Sequence, residues 1–171
     1  MSAPRRVRAP CAGFSLIELV VVIAIMVTLA GIITPVAADR LQRARDARRL
    51  TDLKTVVQAI DDYLIDTGTL PNGDVEGGPG GWDTSMDGAF LTQLVTAGYL
   101  REPLRDPLND AQHHYAYYHY PAGFAGIPAD FYVVGILNFE TSAYAGQTGS
   151  WRGPGHDWTA DFAYVAGGTS Y

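Results

Sequence analysis

Hydrophobic residues follow one another almost without a break from Phe14 to Ala38, and Glu18 is the only charged residue among them. An α-helix rises about 1.5 Å per residue, so this stretch would extend roughly 37 Å. The hydrocarbon core of a bilayer is about 30 Å thick. The pattern therefore predicts a helix over residues 14–38 that is apolar on every side and long enough to span a membrane.

A second hydrophobic pattern, with a different period, continues this helix. Apolar residues recur at alternating spacings of three and four, which places them on one face of a helix. They are Leu50, Leu53, Val57, Ile60 and Leu64. Gly68 follows, and glycine commonly ends a helix. We predict one helix from Phe14 to about Thr67, in which residues 39–67 are amphipathic and must pack their apolar face against another part of the chain.

The remaining residues, 68–171, combine turn-forming and strand-forming segments. Residues 72–88 are rich in Gly and in acids, which is typical of a surface loop. A short apolar pattern over residues 90–95 predicts a second helix that ends near Gly98. Residues 105–110 read Arg-Asp-Pro-Leu-Asn-Asp, a composition that favours a turn.

Three later segments are rich in aromatic and β-branched residues and are predicted to be strands. They are residues 113–120, 131–137 and 161–167. Antiparallel pairing of these strands across the apolar face of the amphipathic helix would give an α+β head. The fold class predicted from sequence is therefore α+β, with a long N-terminal helix packed on a small antiparallel sheet.

A short basic segment with three Arg, residues 1–13, precedes the hydrophobic stretch. One interpretation is an ordinary secretory signal peptide that is cleaved after Val36-Ala37-Ala38, although the apolar stretch is long for that role. Another is a plain single-pass anchor. The anchor leaves Glu18 unexplained, because an ionised acid within lipid costs several kcal/mol unless it is paired.

A cut between Gly13 and Phe14 would give this acid a partner. Phe14 would then carry a new α-amino group, which is cationic below a pKa of about 8. Glu18 lies four residues later, about one helical turn away, so the two groups could pair within one chain. They could also pair between chains, and Glu18 would then set the stagger of neighbouring helices.

The segment Gly13-Phe14-Ser15-Leu16-Ile17-Glu18, with its basic leader and the apolar helix after it, resembles the processing site of type IV pilins and type II secretion pseudopilins. The resemblance implies cleavage after Gly13 by a prepilin peptidase, methylation of the Phe14 amine and assembly into a filament. It implies that Glu18 engages the N-terminus of the next subunit. Pro35 also matches the family pattern, and it removes one helix bond, to the carbonyl of Gly31, which permits a bend.

This resemblance divides the chain into four regions. They are a cleaved leader (1–13), a transmembrane and filament-core helix (14–38), an amphipathic continuation (39–67) and a soluble head (68–171). The implied partners are further copies of the chain, the inner membrane, prepilin peptidase, and an assembly platform with its motor ATPase. The implied location is a single pass through the bacterial inner membrane, with the head outside the cytoplasm.

Charge is divided unevenly along the chain. Residues 1–54 hold nine Lys and Arg against four acids, whereas residues 55–171 hold three Arg against fourteen acids, a net of −11. The head alone is therefore not expected to bind nucleic acid, which needs clustered cations.

Five Arg follow the hydrophobic stretch, and positive-inside counting alone would place them in the cytoplasm. A long following domain and a dedicated leader can override that bias.

Candidate chemistry in the head is sparse. Four His are present, but their spacing fits neither a zinc site on a helix nor a catalytic triad, so we expect no enzyme activity. The resemblance to major pseudopilins implies a calcium ion in the last loop, with Asp157 and Asp161 as its acidic ligands here. The compact acidic stretch of that family is missing, and the alternative is a loop held by hydrogen bonds and by the packing of Trp151 and Trp158.

The resemblance leaves two filament functions open. The chain's only cysteine, Cys11, lies in the leader, so the head has no disulfide. That feature, and the resemblance of the turn at residues 105–110 to the Asp-Pro turn that pseudopilins carry before their sheet, favour a type II secretion pseudopilin that drives protein export. The incomplete calcium loop favours a type IV pilin for adhesion, motility or DNA uptake. A third hypothesis is a membrane-anchored binding protein that does not assemble.

Overall fold

The structure is a computed structural model that describes residues 14–73, 81–144, 146–149 and 151–170, without the side chains of residues 32–35. The leader, including Gly13, lies outside the described residues. The chain divides into two compact units, Met1–Arg40 and Leu41–Tyr171. We call the second one the head unit. It includes most of the amphipathic part of the long helix, because that part packs on the sheet.

The first element, α1, is a 52-residue helix that spans Leu16–Thr67. The predicted start at Phe14 is wrong by two residues, because Phe14 and Ser15 precede the helix. The Ser15 carbonyl accepts the first hydrogen bonds, from the N–H groups of Glu18 and Leu19. The predicted end at Thr67 is confirmed. Gly68 adopts a left-handed conformation with φ of 71° and donates its N–H to the Leu64 carbonyl, which satisfies a terminal acceptor.

A four-stranded antiparallel sheet follows, with its strands in chain order β1-β2-β3-β4. The strands are β1 (Asp83–Thr84), β2 (Tyr115–Tyr120), β3 (Phe131–Ile136) and β4 (Tyr164–Thr169). A short helix, α2 (Thr92–Thr96), lies between β1 and β2. The α+β class and the antiparallel pairing predicted from sequence are therefore confirmed.

One face of the sheet packs against α1. Residues that alternate along β2 and β3 bury their side chains with the apolar face of the helix, as the period of two requires. These buried sheet residues are Tyr115, Tyr117, Tyr132, Val134 and Ile136, and the buried helix residues are Leu53, Val56, Ala59, Ile60 and Tyr63. The predicted apolar face of the helix is confirmed, although Leu50, Val57 and Leu64 lie at its half-buried margin.

The opposite face of the sheet carries a second, mainly aromatic core. Its buried members are Ala116, Ile127, Phe131, Val133, Trp158, Phe162 and Val165. Gly135 makes this packing possible, since a Cβ at that position would lie 2.5 Å from the ring of Phe162. The loop between β3 and β4 therefore folds back over the sheet.

The prediction of a surface loop over residues 72–88 is wrong for its last part, 81–88. β1 pairs with β2 there, and Asp83, Thr84 and Ser85 are buried. The Ser85 hydroxyl donates to Asn109 Oδ1 at 2.8 Å and accepts the N–H of Tyr115 at 3.0 Å. Polar side chains that bond to the backbone allow a segment of polar composition to lie inside the fold.

All three predicted strands differ in their bounds, and β3 ends one residue early, at Ile136, whereas β4 ends two residues late, at Thr169. β2 begins at Tyr115 because the carboxylate of Asp110 accepts the N–H groups of Gln112 and His113, which forms a turn. β4 begins at Tyr164, later than predicted, because a 3₁₀ turn occupies Trp158–Ala160.

Candidate functional site

The N-terminus of α1 presents the two residues that matter most in the predicted site. Phe14 lies just before the helix and is 79 % exposed. Glu18 lies in the first turn and is also exposed. Phe14 precedes the regular helix in the uncut chain, and its separation from Glu18 after cleavage stays a prediction. Gly13, the other half of the predicted junction, lies outside the described residues.

A continuous apolar surface surrounds Glu18. Every residue from Phe14 to Gly31 is exposed, and the large hydrophobic side chains among them are between 38 % and 80 % exposed. By length and composition this helix could cross a membrane. A surface of this size is stable only in lipid or against other apolar helices. We call this surface, residues 14–31, the apolar belt. Glu18 is its single carboxylate, and the belt must be buried away from water.

Comparison with known proteins identifies this N-terminal segment. The prokaryotic N-terminal methylation motif matches residues 8–34. The chain carries a prepilin signal. It is the signal of type IV pilin and pseudopilin precursors, which prepilin peptidase processes, and the match includes Gly13, Phe14 and Glu18. No solved structure matches the chain significantly.

The predicted bend in α1 concerns Gly31 and Pro35. The helix continues through both positions. A Cβ at Gly31 would meet nothing within 4 Å, so the helix surface around it is open. The side chain of Pro35 lies outside the described residues, and the bend stays a prediction.

A buried ion cluster in the head unit joins α1 to two distant segments. Arg49 is fully buried, and its guanidinium donates to both carboxylate oxygens of Asp106, at 2.5 and 2.9 Å. It also donates to Asp46 at 2.7 Å and to Glu140 at 2.8 Å. Bidentate charge-assisted bonds of this kind fix geometry as well as contributing energy. Arg49 therefore ties α1 to the Asp-Pro turn and to the loop after β3.

The acids of the cluster bind the same two segments. Asp46 accepts the N–H groups of Glu140 and Thr141, at 3.0 and 2.9 Å, and the Thr141 hydroxyl at 2.7 Å. Asp106 accepts the N–H groups of Leu108 and Asn109, at 2.8 and 3.2 Å. Arg45 donates to both oxygens of Glu140. Each buried charge has a partner of opposite sign, as burial requires.

Ionisation in the cluster follows from these bonds. Burial alone would lower the pKa of Arg49, but hydrogen bonds to Asp106 and Glu140 outweigh it and raise that pKa. Burial alone would raise the pKa of Asp106, but the Arg49 guanidinium and the two backbone N–H groups lower it overall. Arg45 and Arg49 lower the pKa of Glu140 to about 2. Arg49, Asp106 and Glu140 are therefore charged at neutral pH.

Sequence reasoning missed this cluster. Asp46 and Arg49 are three residues apart on α1, a spacing typical of a surface ion pair, but both side chains are fully buried. The available signal was the acid of the Asp-Pro pair, Asp106, together with the arginine-rich segment that precedes Leu50. The cluster also gives a structural role to arginines that follow the hydrophobic stretch. Arg45 and Arg49 bind acids of the head unit, and Arg48 pairs with Asp52 at 3.4 Å.

Tyrosine hydroxyls provide further polar contacts to α1. Tyr115 donates to Asp52 at 2.9 Å and Tyr132 donates to Asp61 at 3.3 Å. Burial and these acids raise the pKa of both hydroxyls, so they remain protonated donors. The sequence predicted aromatic filling of the strands, and the structure adds that the ring tips anchor the sheet to acids of the helix.

The two predicted calcium ligands lie in the loop between β3 and β4. Asp157 accepts the N–H and hydroxyl of Thr159, at 3.0 and 2.5 Å, and pairs with Arg152 at 3.2 Å. Asp161 lies 2.6 Å from Nε2 of His156. Within the described residues no group of three or more His, Cys, Asp or Glu is arranged to hold a metal. Calcium takes six to eight oxygen ligands, which include main-chain carbonyls, and the two predicted acids alone do not supply them.

We expect a calcium chelator to leave the melting temperature of the head unit unchanged, because Asp157 and Asp161 already have partners from the protein. The measurement is thermal unfolding of the purified chain with and without EGTA, followed by addition of excess calcium. A melting temperature that falls with EGTA and recovers with calcium would instead support a calcium-bound loop.

Proposed function

We propose that this chain is a structural subunit of a pilus-like filament and has no enzyme activity. The observation that carries the proposal is the exposed Glu18 within an exposed apolar helix, at the position that the prepilin signal marks. An acid placed there is costly in lipid unless a cation meets it. The free amine of Phe14, formed by cleavage after Gly13, is the cation that the signal supplies.

Assembly would bury the apolar belt of one copy against those of its neighbours. Replacing lipid contacts with apolar helix contacts changes the free energy little, so a specific polar pair can determine the stagger. The start of the regular helix at Leu16 leaves Phe14 and Ser15 as a short extension. That extension favours pairing of the Phe14 amine with Glu18 of an adjacent copy. An assembly platform and a motor ATPase in the inner membrane would supply the driving force.

The head unit would decorate this filament outside the cytoplasm. Its attachment to α1 combines an apolar core with the buried cluster around Arg49. Arg45, Arg48 and Arg49 are paired with carboxylates of the head unit, and the long domain after the span can override the positive-inside bias.

Between the two filament functions we favour a type II secretion pseudopilin. The disulfide-free head and the Asp-Pro turn, which Arg49 holds at the buried cluster, support this assignment. A type IV pilin for adhesion, motility or DNA uptake is the second candidate, favoured by the last loop, which lacks the compact acidic stretch of the major pseudopilins.

Loss of this chain should leave folded export substrates in the periplasm if the pseudopilin assignment holds, because no fibre would push them through the outer membrane. The measurement is the distribution of secreted enzymes between periplasm and medium in a deletion strain, with a strain complemented by the intact chain as control. Normal secretion together with loss of surface fibres would contradict the pseudopilin assignment and support the pilin.

A further inference from the structure

A cleft of about 460 Å³ opens on the sheet face opposite α1. Its walls include four aromatic side chains from three separate segments, namely Trp82, Tyr120, Trp158 and Phe162. A volume of this size is in the range of small-ligand sites. The prepilin signal and the filament function make no use of this part of the head unit.

The aromatic rings meet at steep angles. Trp82 lies 5.3 Å from Phe162 with planes at 60°, and 6.1 Å from Tyr120 with planes at 77°. Tyr120 and Trp158 lie 5.6 Å apart at 57°. Trp158 and Phe162 belong to the buried aromatic core, so the half-buried rings of Trp82 and Tyr120 form the accessible aromatic walls, and the face of an aromatic ring carries partial negative charge. Such walls attract an organic cation more strongly than an apolar group of the same size.

The charged groups at the cleft have the matching sign. Asp161 lines it, and no Lys or Arg is among its described lining residues. One carboxylate oxygen of Asp161 contacts His156, whereas Oδ1 has no hydrogen-bond partner within the described part of the chain. Residues 55–171 carry a net formal charge of −11, so the surrounding field also attracts cations.

A buried hydroxyl at the cleft distinguishes between kinds of cation. Thr84 lines the cleft and is 2 % exposed, and its hydroxyl has no hydrogen-bond partner among the described residues. A buried polar group without a partner is costly, so an N–H donor of a ligand would satisfy it. A primary ammonium has three such donors, whereas a quaternary ammonium has none.

We propose that this cleft binds a primary alkylammonium group, such as the end of a lysine side chain or of a small free amine. The alkyl part would lie against the rings of Trp82 and Tyr120, and the ammonium would donate to Asp161 and Thr84. This site adds ligand recognition to the head unit and does not depend on filament assembly.

The test uses the purified full chain in non-ionic maltoside micelles at pH 8, where an ordinary imidazole is uncharged. The probe is n-butylammonium, and 1-butanol is the neutral control of the same size. We expect saturable, millimolar binding of n-butylammonium, with amide NMR shifts confined to the cleft, and at least about fivefold weaker binding of 1-butanol. A third probe, Nα-acetyl-lysine methylamide, should bind as well as n-butylammonium if the ligand is a protein lysine, and less well if it is a free amine.

Variants separate charge recognition from simple filling of a cavity. Asp161→Asn should weaken n-butylammonium binding about fivefold. Asp62→Asn, which removes the same charge from an exposed position on α1 away from the cleft, should leave binding unchanged. Trp82→Leu should abolish binding, whereas Trp82→Phe, which keeps an aromatic face, should retain part of it. Melting temperatures of all variants verify that the fold persists.

Three results would overturn the proposal. The first is equal affinity for n-butylammonium and 1-butanol, which would show an apolar cavity without charge recognition. The second is an equal effect of Asp161→Asn and Asp62→Asn, which would show attraction to net charge alone. The third is the absence of saturable binding to the folded chain.

Discussion

Replacing Glu18 with alanine should abolish filament assembly while the chain still inserts into the membrane and the head unit still folds. The reason is that Glu18 supplies the only charge in the apolar belt, so its loss leaves the Phe14 amine of the neighbouring copy without a partner in lipid. Insertion should not suffer, because removing an acid from a membrane helix lowers the cost of insertion. Electron microscopy of sheared fibres and extraction of the membrane fraction measure the two effects separately.

Leu19→Ala is the matched control for Glu18→Ala. Leu19 is the next residue, it is 58 % exposed, and its truncation removes apolar area without removing charge. Fibres should persist in this variant. Fibre formation by Glu18→Ala at the level of Leu19→Ala would contradict the pairing role of Glu18. A chain that inserts and binds ligands but never forms fibres, even in its natural form, would favour the anchored binding protein over a filament subunit.

Replacing Arg49 with methionine should destabilise the head unit by about 3–5 kcal/mol, because removing one partner of a buried ion cluster leaves the others uncompensated. Arg49 is fully buried and contacts three carboxylates, those of Asp46, Asp106 and Glu140. In a unit of this size the loss corresponds to a fall in melting temperature of roughly 10–20 °C. Denaturant unfolding of the purified chain, followed by near-UV circular dichroism, gives the free energy of unfolding directly.

Arg48→Met is the control for this effect. The Arg48 side chain is 62 % exposed and lies 3.4 Å from Asp52, so the pair is a surface ion pair of at most about 1 kcal/mol. Arg49→Lys tests geometry as well as charge, since an ammonium cannot make the two parallel bonds to Asp106. We expect it to be nearly as unstable as Arg49→Met. Equal stability of Arg48→Met and Arg49→Met would contradict a structural role of the cluster.

The long helix and the general architecture could be predicted because each depends on a periodic signal. The apolar run from Phe14, the alternating spacings from Leu50 to Leu64 and the glycine at position 68 each specify a local geometry. The processing residues could be predicted for a different reason. The resemblance of residues 13–18 to the prepilin junction implies the cut between Gly13 and Phe14, and the new amine would pair the acid that is otherwise isolated in an apolar stretch.

The buried cluster, the strand β1 and the aromatic cleft could not be predicted, because each depends on contacts between distant residues. Asp106 and Glu140 reach Arg49 only after the sheet has formed. β1 consists of two residues in a polar segment, so no alternation reveals it. Composition alone does not distinguish the aromatic residues that close a core from those that line a cleft.

The mass of the mature N-terminus tests the central claim most directly, namely that a cut between Gly13 and Phe14 creates the cation that meets Glu18. Mass spectrometry of the chain purified from membranes should show a first residue of Phe14 that carries one methyl group on its amine. A chain that still begins at Met1, or that begins at Asp39 after an ordinary signal cleavage, would lack that amine and would contradict the proposed assembly.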